Sequence, residues 1–188
     1  MYNYYLSLFA GLFAMLSAIS SYFFYSRLKF LIGQGIALIM LALSFLFIEQ
    51  YFATASYMIC VARVLVYFFY ERKNQPAPFL VQSFFALLTV CAYFTINVTI
   101  LKTFKPLDIL LMVSGIMYTY VFGVRNLMLL RYLIILPTAM TIVYNVLVGA
   151  TPFVIVSYSF EMLANLTAIV LNKLNQRKAR KKSKGRQF

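Results

Sequence analysis

Apolar residues fill this chain in long runs, broken only by short polar links. Seven runs reach or approach the roughly 20 residues that carry a helix across a hydrocarbon core. They cover residues 4–25, 30–47, 51–70, 79–100, 107–124, 132–148 and 151–171. The pattern predicts an all-α polytopic membrane protein with seven transmembrane helices. The links are "SRLK", "IEQ", "ERKNQPAP", "LKTFKP", "RNLMLLR" and "GATP". Links this short force neighbouring helices to run antiparallel. Three helices, a single helix and three more form a 3+1+3 layout. The lone fourth helix returns the chain to its starting side, so the two triplets run in the same direction, as a parallel repeat about an axis along the membrane normal. The expected units are residues 1–75, a linker helix within 76–103, a second bundle over 104–172 and a basic tail over 173–188.

Composition agrees with a bilayer as solvent. Of 188 residues, 63% are hydrophobic and 11% charged, with a mean hydropathy of +0.85. Soluble globular domains are about half apolar. The net charge of +13 would suggest nucleic acid in a soluble chain. Here the basic residues sit in links and tail, so they are read as topology signals and no nucleic acid is expected. With the N-terminus outside, the cytoplasmic side carries Arg27, Lys29, Arg72, Lys73, Arg125, Arg131 and eight residues from Lys173 onward. That is 14 of the 17 Lys and Arg. The other side holds Lys102 and Lys105, and Arg63 stays within a span. The positive-inside rule therefore places the C-terminus in the cytoplasm. Clusters such as "SYFFYSR" and "VYFFYER" fit an aromatic belt at the same boundary.

The tail lacks an apolar face and is expected to be disordered. Its charges suit anionic lipid headgroups, at about 1 kcal/mol per residue near the surface. The residues before the first run carry no Lys or Arg, so that run reads as a retained helix rather than a cleaved signal. Cys60 and Cys91 lie in apolar runs and are expected to be free thiols. The absence of His removes the commonest acid–base group and metal ligand. No paired carboxylates, nucleophile elbow or phosphate loop is present. The expectation is a non-enzyme with no cofactor, metal or catalytic residue.

Candidate binding residues come from charges and amides inside the spans. Arg63 lies about 12 residues into the third run and Glu161 about 10 into the seventh. At 1.5 Å per residue both reach the midplane of a core about 30 Å thick. Charges at that depth need a partner or water and are functional candidates by default. Ser56, Cys60, Arg63 and Tyr67 share one helix stripe. Ser157, Glu161, Asn165 and Ala168 share another. Such stripes face protein or cavity. A structural Arg63–Glu161 ion pair and a solute cavity are both compatible with them. Asn145 in the sixth run joins Arg63, Glu161 and Asn165 as a candidate, with an interhelical hydrogen bond as its other reading. Ser7, Gly11, Ala14, Ala18 and Ser21 make a close-packing stripe on the first helix. Gly33, Gln34 and Gly35 either loosen the second helix or pack it. Asn97 is placed at the interface, and Pro137 should bend the sixth helix.

Three stretches carry a family resemblance. "GLFAMLSAISSYFF", "LLMVSGIMYTYVFGVRNLMLLRY" and "VYNVLVGATPFVIVSYSFEMLANLTAIV" resemble the bacterial inner membrane protein YgjV family over most of residues 8–172. That family's layout looks like the SWEET sugar transporters and the PnuC-type vitamin transporters. The chain departs from them in lacking Trp, in lacking a proline–glutamine pair in helices 1 and 5, and in carrying Cys60 where Asn is expected.

The resemblance and the buried charges together imply a multi-pass protein of the bacterial inner membrane. The implied role is a carrier or facilitator of a small polar solute, working by alternating access of two three-helix bundles. The alternative is a non-transporting scaffold or regulatory protein. The charge split makes the orientation testable. A cysteine at position 104 should react with impermeant thiol reagents from outside, and cysteines at 27, 73 and 180 only from the cytoplasm. Cytoplasmic labelling at 104 would overturn the seven-span topology.

Overall fold

The computed structural model describes residues 2–22, 27–102 and 105–184. Among these residues there are eight α-helices and one π-helical segment, and no strand. The helices are α1 (Tyr2–Tyr22), α2 (Arg27–Phe47), α3 (Tyr51–Arg72), α4 (Phe79–Tyr93), α5 (Pro106–Gly123), α6 (Leu127–Leu133), α7 (Ile135–Leu147) and α8 (Pro152–Lys184). The π segment (Phe94–Ile100) extends α4 without a break. Seven helical stretches are long and apolar enough to cross a membrane. The sixth is built from α6 and α7 together, over Met128–Leu147.

Six spans pack into a closed ring. α1 lies on α2, α2 on α3, α3 on α5, α5 on α7, α7 on α8 and α8 on α1. The α4 span lies over the seam between α3 and α5. One end of the ring carries the α2–α3 and α7–α8 turns and is called the turn end. The other carries Arg27, Glu71 and Arg72 and is called the basic end. The two turns share their hydrogen bonding. At the first, Glu49 N–H donates to Leu46 O at 3.1 Å and Gln50 N–H to Phe45 O at 3.0 Å. At the second, Gly149 N–H donates to Val146 O at 3.3 Å and Ala150 N–H to Asn145 O at 2.9 Å. Glu49 and Gly149 both have positive φ, 61° and 71°. This is a Schellman ending, taken at a strained Glu in one turn and at an unstrained Gly in the other.

Small and hydroxyl side chains hold the helices together. Lipid tails are as apolar as Leu, so burial alone does not favour helix association in a bilayer. The α1 stripe packs as expected, with Ser7, Ala14, Ala18 and Ser21 all buried. The Ser7 and Ser44 hydroxyls lie 2.9 Å apart, and Ser17 Oγ donates to Gly33 O at 3.0 Å. A Cβ on Gly11 would come within 2.8 Å of Thr151 Oγ1, and one on Gly33 within 2.7 Å of Ser21 Cβ. Gly33 therefore packs α1 against α2.

The sixth span and the tail differ from expectation. The sixth span starts at α6, five residues before position 132. Asn126 caps α6 by accepting Met128 N–H at 3.0 Å and Leu129 N–H at 3.3 Å, which places Arg131 on a helix rather than in a link. The span is interrupted at Ile134, in the turn before Pro137, whose ring opposes the preceding carbonyls and which donates no N–H. Asn97, near the end of the fourth span, is fully buried in the protein. The segment from residue 173, expected to be disordered, is helical to Lys184. Lys, Arg, Gln and Ala are all good helix formers, and no Gly or Pro intervenes before Gly185.

Replacing Gly33 with Leu should overpack the α1–α2 contact and destabilise by about 1–3 kcal/mol, read as a lower thermal midpoint in detergent. Gly35→Ala should leave the midpoint unchanged, because a Cβ there meets only Val64, at 3.7 Å. Equal effects at the two positions would show that Gly33 is not a packing contact.

Candidate functional site

A cavity of about 40 Å³ lies inside the ring, room for about two or three waters. Its wall includes Gln34 of α2, Ser56, Tyr57, Cys60 and Arg63 of α3, Ser114 and Tyr118 of α5, Thr141 of α7, and Tyr158 and Glu161 of α8. Arg63 and Glu161 thus meet one cavity, as their matched depths suggested. They are only 3% and 7% exposed.

Arg63 has partners that were not expected. Its Nη1 donates to Thr119 Oγ1 at 2.6 Å and to Gly115 O at 3.2 Å. The guanidinium also lies 5.6 Å from the centre of the Phe122 ring, a cation–π distance. These contacts dock Arg63 on α5, a partner helix that the sequence did not suggest. A hydroxyl and a carbonyl one turn apart give a planar guanidinium two acceptors on its own side. Thr119 also donates to Gly115 O at 2.9 Å, so its hydroxyl gives and receives at once. Tyr67 extends the seam by donating to Thr119 O at 2.9 Å. Arg63 Nε is buried with no protein acceptor.

The two candidate amides lie outside the cavity wall. Asn165 Nδ2 donates to Glu161 O at 3.0 Å within α8, which braces the helix beneath the carboxylate. Asn145 is fully buried, and neither amide atom has a hydrogen-bond partner within ordinary distance. It lies near the Tyr57 hydroxyl. Ala168 of the α8 stripe has no described side chain. Both cysteines are free, Cys60 on the cavity wall and Cys91 exposed on the outer surface.

Sequence reading missed the tyrosines and the whole α5 wall. Tyr158 Oη donates to Tyr57 Oη at 3.1 Å, joining α8 to α3 on the turn-end side of Arg63. A signal was present. Phe52, Ser56 and Tyr57 recur as Phe153, Ser157 and Tyr158, with the same spacing and a constant offset. On α5, Ser114 accepts from Thr141 at 3.2 Å and Tyr118 bonds Thr138 at 2.8 Å, at one-turn spacing. Gln34 Nε2 donates to Ser21 Oγ at 2.9 Å, tying the cavity wall to α1.

A second polar cluster, also unanticipated, lies at the turn end. Asp108 is 3% exposed and accepts from Asn97 Nδ2 at 2.9 Å and Tyr144 Oη at 3.2 Å. It stands in the first turn of α5, where the helix dipole favours a carboxylate. The π segment that carries Asn97 is therefore fastened to α5 and α7. At the basic end, Arg27 forms an ion pair with Glu71 at 3.3 Å. It also donates to Phe122 O at 3.0 Å and Val124 O at 3.2 Å. Those carbonyls end α5, where a cation is favoured.

No curated protein and no solved structure matches the chain. Residues 5–176 match a family described as bacterial inner membrane protein. Seven membrane-spanning helices and a match over nearly the whole chain place it among multi-pass proteins of the bacterial inner membrane, and it belongs to the Imp-YgjV family.

Proposed function

We propose that this protein is a non-enzymatic carrier or facilitator of a small polar solute. The observation that carries the reading is the cavity inside the ring, with a buried cation and a buried carboxylate on its wall. Intramembrane charges that meet a cavity are the usual mark of a solute or ion pathway. In this reading Arg63 orients an anionic or hydrogen-bonding group of the solute, with Glu161 on the facing helix. In this reading the cavity is reached from the outside at the turn end and from the cytoplasm at the basic end.

The moving parts are two halves, α1–α3 and α5–α8, with α4 as linker. Three features support a parallel 3+1+3 repeat. The ring order α1–α2–α3 is matched by α5–α7–α8. Both halves have a Schellman turn before their last helix. The Phe-x-x-x-Ser-Tyr pattern opens both last helices.

Side-chain hydrogen bonds between the halves fall at three levels. Tyr57 and Tyr158 close the turn end, Arg63 and Tyr67 grip α5 in the middle, and Arg27 grips the end of α5 at the basic end. A middle contact flanked by two latches suits a rocking motion: releasing one latch while the other holds opens the cavity to one side only. Both latches are made in the described conformation.

Cys60 makes the scheme testable, since it is a native thiol on the cavity wall. In a Cys91→Ser background, Tyr158→Phe should speed labelling of Cys60 by an impermeant thiol reagent from outside several-fold. Arg27→Gln should do the same from the cytoplasm. Unchanged labelling from both sides in both variants would overturn the latch assignment. Across a panel of amino acids, organic acids and sugars, one class should raise the thermal midpoint, and Arg63→Gln or Glu161→Gln should abolish the rise. A panel without any response, together with a tail-dependent partner in pull-downs, would instead identify a scaffold. A separate cycle isolates the structural role of Arg63. Arg63→Gln and Thr119→Val should be coupled by about 0.5–3 kcal/mol, and additive losses would show that the 2.6 Å contact contributes nothing.

A further inference from the structure

Outside the ring, α2 and α3 form a groove of about 220 Å³ whose wall is entirely apolar. Gly35, Val61 and Val64 make its floor, and Ile32, Ile36 and Leu65 stand as walls. The groove exists because Gly35 has no side chain. A Cβ there would meet only Val64, at 3.7 Å, and otherwise open space. From Leu31 to Ile39 it runs about 12 Å along the helix axis, within the depth of one bilayer leaflet.

The same helix stripes end in charge. On α2, Lys29, Ile32, Ile36 and Ile39 recur at spacings of three, four and three, which is one face of a helix. On α3, Arg72, Phe68, Leu65 and Val61 recur at four, three and four. Lys29 and Arg72 are both exposed. The helices are antiparallel neighbours, so the two cations stand together at the basic end, on either side of the mouth of the groove. We propose that this face binds one anionic glycerophospholipid, with an acyl chain in the groove and the phosphate between Lys29 and Arg72.

Charge selects the occupant. A second copy of the chain packing here would need acids near the basic end. The chain has four acidic residues. Glu71 is engaged by Arg27, Asp108 and Glu161 are buried, and the exposed Glu49 lies at the turn end. Two copies side by side would oppose Lys29 and Arg72 to themselves. A lipid phosphate supplies the missing anion at the right depth, and its tail is the apolar rod that the groove fits. This site differs from the basic tail, where attraction to headgroups needs no groove. It also sits one turn from Arg27, so an occupied groove braces the α2–α3 pair beside the basic-end latch.

The test uses the full-length protein in phosphatidylcholine nanodiscs containing a small fraction of phosphatidylglycerol with a diazirine in the acyl chain. Photolabelling should concentrate on α2 and α3, around Ile36, Ile39, Val61 and Leu65. The Lys29→Gln/Arg72→Gln pair should reduce that labelling about tenfold or more, given the known attraction of each basic residue for anionic lipid. Lys73→Gln, off both stripes, should leave it unchanged. Gly35→Phe fills the groove without touching charge and should also remove the label. Diazirine-labelled phosphatidylcholine should show no preference for these helices. Even labelling over all lipid-facing helices, equal labelling by the two lipids, or undiminished labelling in the double variant would overturn the proposal. Crosslinks between copies through α2 and α3 would overturn it in favour of a dimer contact.

Discussion

A guanidinium at the centre of a spanning helix needs acceptors, and Arg63 finds two of them on a neighbouring helix. Arg or Lys at the centre of a spanning helix costs about 2.5–3.5 kcal/mol on insertion scales. The carbonyl of Gly115 and the hydroxyl of Thr119 offset that penalty. Both lie on α5, so the requirement of one side chain on α3 joins the first three helices to the last three. The cavity follows from it. Ser56 and Cys60 lie on the same stripe of α3 as Arg63, and Ser114 and Tyr118 flank the docking point on α5. These side chains are too small or too polar to fill the space as Leu and Ile would.

The rest of the ring is assembled from similarly local polar contacts. Hydroxyl pairs, such as Ser7 with Ser44, Ser114 with Thr141 and Tyr118 with Thr138, occur at the α1–α2 and α5–α7 contacts. Close approaches at Gly11 and Gly33 add to them, as do two buried apolar clusters, one around Phe45 and Tyr144 and one around Leu31 and Phe122. In a bilayer this is the available chemistry, because apolar side chains are solvated equally well by lipid and by protein. Many large apolar residues accordingly face outward: Phe9, Leu80, Leu87, Leu136 and Leu163 are all more than half exposed to where lipid would lie.

Sequence reading succeeded where a single helix decides the outcome. Run length located all seven spans, and stripe periodicity brought Arg63, Glu161, Ser56 and Cys60 to one interior. It failed where a second helix decides. Nothing local to Arg63 says that it finds acceptors on α5. That Asn97 is buried in the protein depends on Asp108, on another helix. Asp108, which opens the fifth run, escaped notice because its partners Asn97 and Tyr144 lie on other helices. The true start of the sixth span was hidden because "NLMLLR" reads as a link until Asn126 is recognised as a cap. The tail was misread from charge alone, although its residues favour helix and nothing breaks it before Gly185.

That last helix carries a mechanical consequence. The 33 residues of α8 span about 50 Å at 1.5 Å per residue, some 20 Å more than a hydrocarbon core about 30 Å thick. Glu161 and Tyr158 stand on the embedded part, and the surplus runs on past the basic end as one rod with no hinge residue before Gly185. A small tilt of α8 at the cavity becomes a larger sweep at the far tip, and a force applied to the tip becomes a torque on the cavity wall. Headgroups or proteins that touch the rod therefore have mechanical leverage on residues they never approach.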